Sequence, residues 1–111
     1  GYVHQILVNL IQNAADALEG IAAARSDIQV DGSDQQVRIQ VRDNGRGIAE
    51  DQLLRVFDPC YTTKAVGKGT GLGLYISYNH ATEQCRGRLE AFNHSDGGAV
   101  FCLTLPLEIP A

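Results

Sequence analysis

The amino-acid sequence predicts an α/β two-layer sandwich, with one mixed, mostly antiparallel sheet covered on one face by helices. Three patterns carry this expectation. Apolar residues recur at helical spacing over roughly 2–24, Val37 to Arg42 alternates apolar and polar, and two strand-like segments at 88–93 and 99–105 flank a Ser95-Asp96-Gly97-Gly98 turn. A period of 3.6 turns one helix stripe to a core, and a period of two is that of a half-buried strand. The chain of 111 residues has room for one core, and 1–111 is read as one domain.

The first helix is justified by Val3, Leu7, Leu10, Ile11, Ala14, Leu18 and Ile21, which form one apolar stripe at i, i+3, i+4, i+7 spacing. Gln5, Asn9, Asn13, Asp16 and Gly20 gather on another face, narrow and rich in amides. Taken alone, that face reads most simply as solvated. Next come a connection with a short strand at Ile28-Gln29-Val30 and the alternating strand 37–42; the two can pair as a hairpin. Glu50 to Phe57 reads as a short helix with acidic residues in its first turn, where the helix dipole favours them, and Asp58-Pro59 ends it. From Cys60 to Thr70 there is no periodicity. Leu72 to about Cys85 reads as another helix with Leu72, Ile76 and Ala81 towards the core, and the closing hairpin reads as scaffold.

Composition narrows the function. A chain 44% hydrophobic and 20% charged is an ordinary globular domain, and no apolar run approaches the ~18 residues of a membrane span. The formal charge of −4, with no basic stripe against it, argues against nucleic acid as the main partner. Three cysteines without metal-ligand spacing read as reduced thiols in a cytoplasmic setting, Cys85 and Cys102 being small core residues.

The chemistry concentrates between Asp43 and Leu74. Asp43-Asn44-Gly45-Arg46-Gly47-Ile48 opens this stretch, and Gly67-Lys68-Gly69-Thr70-Gly71-Leu72-Gly73-Leu74 closes it. Glycines let main chain approach a ligand closely, and N–H groups at a helix start favour phosphate. Neither GxGxxG nor GxxxxGK[ST] is present, so the Rossmann and P-loop readings fail.

With Asn9 and Asn13 four apart on the first helix, these elements resemble, in order, the ATP-binding domain of sensor histidine kinases in the gyrase, Hsp90, histidine kinase and MutL superfamily. The asparagine pair is similar to that family's N box, Asp43 to Ile48 to its G1 box, Phe57 to Lys64 to its F box, and Gly69 to Leu74 to its G2 box. The resemblance covers nearly the whole chain. It implies a Bergerat-type fold with ATP and Mg²⁺ as ligands, and Asp43 accepting a hydrogen bond from the adenine amino group. It places Asn13 on Mg²⁺; amide oxygens are suitable hard ligands for that ion. Asn9 and Lys64 are the implied catalytic residues. Asn9, Asn13, Asp16, Asp43, Gly45, Gly47, Ile48, Phe57, Thr63, Lys64, Lys68, Gly69, Thr70, Gly71, Leu72, Gly73 and Leu74 are implied to contact nucleotide. The span from Asp58 to Thr70 corresponds to the family's ATP lid, although Cys60 replaces its usual aromatic residue, and Cys85-Arg86-Gly87 stands where His-Gly-Gly is common.

The implied function is transfer of the γ-phosphate to a histidine on a separate dimerisation domain of the same protein, and from there to a response regulator. His4, His80 and His94 lack the context of a phosphoacceptor, so the chain is expected to be a catalytic fragment, the cytosolic portion of a sensor. A superfamily ATPase is a rival, but Asn9 stands where the hydrolysing members carry a basic glutamate. A serine kinase of the same fold is a second rival, and a nucleotide-binding switch without catalysis is a third.

Overall fold

The structure is a computed structural model that describes residues 1–59 and 72–107. Helix α1 (Tyr2–Ala17) leads into strands β1 (Ser26–Gly32) and β2 (Gln36–Asp43) and a short helix α2 (Glu50–Leu53). Helix α3 (Gly73–Asn79) runs on into a π-helical turn (His80–Gln84), and strands β3 (Arg88–Asn93) and β4 (Ala99–Pro106) follow. The four strands lie in the order β1-β2-β4-β3, and every neighbouring pair among the described residues is antiparallel. The two-layer α/β sandwich is therefore present.

The core lies between the sheet and the helices. Ile6, Leu10 and Ala14 of α1 and Ala81 of the π turn meet Ile39, Val41, Leu89, Ala99, Phe101 and Leu103 of the sheet, with Val56 closing one side. The buried seam of α1 is thus 6-10-14. Ile11, expected inside, is exposed with Val8, whereas Ile6, absent from the expected stripe, is fully buried. On α3 and the π turn the inward residues are Leu74, Ser77 and Ala81, while Leu72 just before α3 and Ile76 on it face outward against expectation. The spacing 74-77-81 is helical, and 72-76-81 fits it less well.

Helix α1 also stops sooner than expected, at Ala17. Gly20 adopts φ +78° and Ala23 φ +52°, conformations that no helix can continue through. A distant side chain fixes that exit: Asn44 donates from Nδ2 to the Ala23 carbonyl (2.9 Å) and accepts at Oδ1 from the Arg25 amide (2.6 Å). The predicted helix 50–57 is likewise only one turn, α2, before turns take over. Strand β1 is longer than expected and wholly exposed. Its Ile28 and Val30, 55% and 62% exposed, stand opposite the buried Val41 and Ile39, because α1 packs over β2 and not over the edge strand.

The sheet face turned away from the helices is also dry at its centre. Val100, Cys102 and Thr104 of β4 are buried there, and Arg38 on β2 donates to the Cys102 sulfur at 3.7 Å. Cys102 is a free core thiol, and Cys85 packs against the core, both as expected. No described helix is long and apolar enough to cross a membrane.

Candidate functional site

Strand β2 runs off the sheet at Asp43, whose side chain is only 2% exposed. A buried carboxylate needs hydrogen-bond donors to offset its lost hydration. Here Oδ1 accepts from the Gly45 amide (2.9 Å) and the Ala99 amide (3.4 Å). Both bonds from described residues end on Oδ1, which leaves Oδ2 for a donor in the cleft that Asp43 lines.

Two glycines make this burial possible. A Cβ on Gly45 would lie 2.7 Å from the Ala17 carbonyl oxygen, so only glycine lets the G1-like turn close on the end of α1. A Cβ on Gly98 would come within 1.9 Å of the Asp43 carbonyl oxygen, and its φ of +85° disfavours any other residue. The turn between β3 and β4 thus presses against the backbone of Asp43.

The next part of the turn is held from the same hairpin. Asn93 accepts at Oδ1 from the Ile48 amide (2.8 Å) and donates from Nδ2 to the Ile48 carbonyl (2.5 Å), clamping that residue through both of its backbone polar groups. These contacts place Ile48 beside a cleft of about 380 Å³. Of the residues singled out in the sequence, Asn13, Asp16, Asp43, Gly47, Ile48 and Leu74 line it. Ala99 and Phe101 of β4 add apolar wall, and Arg46, Ala49 and Gln52 line it from the loop and α2. The hairpin read as scaffold is therefore part of the site. Its alternating apolar pattern looks like any core strand, and nothing local marks Asn93, Ala99 or Phe101.

The remaining candidates fall in three groups. Asn9 does not line the cleft; one turn along α1 from Asn13, it donates from Nδ2 to Ser77 Oγ at 3.0 Å. Gly45 lies beneath Asp43, and Phe57 is a packing residue, stacked on Tyr78 (centroids 5.1 Å) and edge-on to Phe101 (6.1 Å). Leu72 caps the start of α3 and Gly73 is its first residue. Thr63, Lys64, Lys68, Gly69, Thr70 and Gly71, with the whole lid-like span from Cys60, lie outside the described residues.

The geometry has a direction. Gly45 abuts the end of α1 at Ala17, so Ala17, Asn13 and Asn9 step away from Asp43 along one helix. At 1.5 Å per residue each step is about 6 Å. A cleft that combines the apolar walls of Ile48, Leu74, Ala99 and Phe101 with the buried Asp43 carboxylate, and carries the Asn13 amide further along α1, suits a flat heterocycle carrying an amine. Asn13 makes no side-chain hydrogen bond to described residues, and Asp16, bonded from Gln12 Nε2 at 3.1 Å, lines the same wall. These hard oxygen donors fit Mg²⁺. Among the described residues no three His, Cys, Asp or Glu side chains form a metal cluster of their own.

The site is thus a cleft between helices and an antiparallel sheet with a buried carboxylate in its lining. The chain belongs to the family of histidine kinase-, DNA gyrase B- and HSP90-like ATPases, which it matches over residues 2–109. Its curated relatives include the C4-dicarboxylate transport sensor protein DctB of Pseudomonas aeruginosa (44% identical over 109 residues, 97% of this chain and 18% of DctB). The two-component sensor PprA of the same species is 41% identical over 114 residues, covering 98% of this chain and 12% of PprA. The chain thus spans less than a fifth of the length of either. Among solved structures it is similar to the catalytic domain of the histidine kinase ThkA (TM-score 0.79, 31% identity, 95% of this chain and 67% of that one). It is also similar to full-length ShkA, solved in complex with AMPPNP (TM-score 0.79, 28% identity, 100% of this chain and 22% of that one). Its relatives are sensor histidine kinases, and it is folded as their catalytic domains are.

Proposed function

We propose that this chain is the ATP-binding catalytic unit of a two-component sensor histidine kinase, which holds Mg·ATP and offers the γ-phosphate to a histidine on a separate dimerisation domain. A response regulator would receive the phosphate next, and the unit would work on the cytosolic side of its parent sensor. The observation that carries this reading is Asp43, buried to 2% exposure at the end of a cleft, with Oδ2 uncommitted among the described residues.

Asp43 selects the base. A fixed carboxylate accepts from an exocyclic amine, and a base that presents a carbonyl there leaves it buried and unpaired. Ile48, Leu74, Ala99 and Phe101 supply the apolar walls for the ring. Asn13, with Asp16 beside it, would hold Mg²⁺, which neutralises phosphate charge when bound. Asn9 carries no basic carboxylate, so the chain provides no group at that place to deprotonate an attacking water. That favours transfer to an imidazole over hydrolysis. In this reading Lys64 and Lys68 meet the phosphates.

The test is calorimetric titration of the chain with ATP and GTP in magnesium, before and after Asp43→Asn. The wild-type chain is expected to favour ATP by at least about tenfold, the discrimination of one well-paired polar contact. The variant should lose most of that preference. Equal affinities in the wild-type chain would overturn the assignment.

A further inference from the structure

We propose that Ser77 is a positioning residue: its buried hydroxyl fixes the Asn9 carboxamide on α1, one helical turn from Asn13 and from the hydrated cation that Asn13 would hold. The inference rests on the nucleotide-site reading and adds a residue outside every motif that led to it.

Ser77 is 0% exposed, on the face of α3 that also carries Leu74 into the core. A hydroxyl in such a place costs stability unless it is hydrogen-bonded, and alanine or valine would fill the seam without that cost. Its partner comes from another helix, 68 positions away: Asn9 Nδ2, at 3.0 Å. The two helices run antiparallel here. Tyr2 rests on His80 with ring centroids 4.8 Å apart, Asn9 meets Ser77, and Asn13 and Leu74 both line the cleft. The Asn9–Ser77 bond therefore ties α1 to α3 one helical turn beyond the cleft wall, on the side away from Asp43.

The chemistry of the carboxamide gives that bond a consequence. An asparagine has a donor on one side and an acceptor on the other, and rotation about its last bond exchanges them. A cation, or a water bound to it, needs the oxygen. An unrestrained Asn9 would spend part of its time with the NH₂ group turned towards positive charge. The bond from Nδ2 to Ser77 leaves Oδ1 free for that cation and holds the side chain at one place on α1 before ligand arrives, which is preorganisation.

The test is a double-mutant cycle of Ser77→Ala and Asn9→Ala, read as ATP affinity by calorimetry in magnesium and again in excess EDTA, with a thermal melt of each variant. Ser77→Ala is expected to weaken binding in magnesium about three- to tenfold, the range for one lost hydrogen bond, and less than about twofold in EDTA. In the Asn9→Ala background it should do nothing further, because residues that act through one another are not additive. Ser77→Cys, of similar size and a weaker acceptor, should fall between, and it takes the place of Ser77→Ala in the cycle if that variant does not fold. Equal losses with and without magnesium, or full additivity with Asn9→Ala, would make Ser77 a packing residue and overturn the role. A wild-type chain that does not bind ATP at all would overturn the nucleotide-site reading itself, and the positioning role with it.

Discussion

Asp43 is held by main chain from both directions, its own turn through the Gly45 amide and the opposite hairpin through the Ala99 amide. Such a carboxylate can be disturbed without being touched. Gly98→Ala would force a Cβ to within 1.9 Å of the Asp43 carbonyl oxygen at a φ of +85°, so either the hairpin turn or the end of β2 must move. We expect a loss of about 2–4 kcal/mol, typical of close contact and backbone strain combined. A urea melt should show it as an earlier midpoint with unchanged slope. The same variant should bind ATP more weakly than its residual folded fraction explains. A Gly98→Ala chain of wild-type stability would mean that the contact relaxes freely.

At the scale of elements, the secondary structure was largely legible and its ends were not. The alternation of 37–42, the hairpin 88–105 and the helix from residue 2 all appear as β2, β3–β4 and α1. The end of α1 was hidden because Asn44, far along the chain, holds Ala23 and Arg25 through its side chain. Removing both bonds with Asn44→Ala should cost about 1–3 kcal/mol, at roughly 0.5–1.5 kcal/mol for each. Amide exchange should quicken at the 18–25 turn and not in the centre of β4; uniform quickening would refute a local role. The orientation of α3 was missed for a related reason. An apolar count favours Ile76, yet the buried position belongs to Ser77, a polar residue whose burial makes sense only once Asn9 is seen beside it. The lining of the cleft was legible where motifs carry it, at Asn13, Asp16, Asp43, Gly47, Ile48 and Leu74, and illegible where a plain hairpin contributes Ala99 and Phe101, with Asn93 holding Ile48.

For the whole molecule, the expectation is an incomplete machine. With an asparagine at position 9 in place of a base, the isolated chain should hydrolyse ATP at no more than a trace rate. Acid-labile protein phosphate should form only when a helical domain bearing its phosphoacceptor histidine is added. Labelled ATP, scored for protein phosphate and free phosphate together, checks both; rapid release of phosphate by the chain alone would favour the ATPase reading. The bond from Ala99 to Asp43 spans 56 positions and that from Asn9 to Ser77, beside the cleft, spans 68, so the site is assembled from distant parts of the chain. Loop-closure entropy makes such contacts costly until most of the chain is in place. On the proposed reading, a partly folded chain would lack the pocket and nucleotide would bind only the finished fold. Occupancy is then linked directly to folding, adding about 2.7 kcal/mol at a ligand concentration one hundred times the dissociation constant. A cell rich in ATP would by that route keep the domain folded as well as supplied.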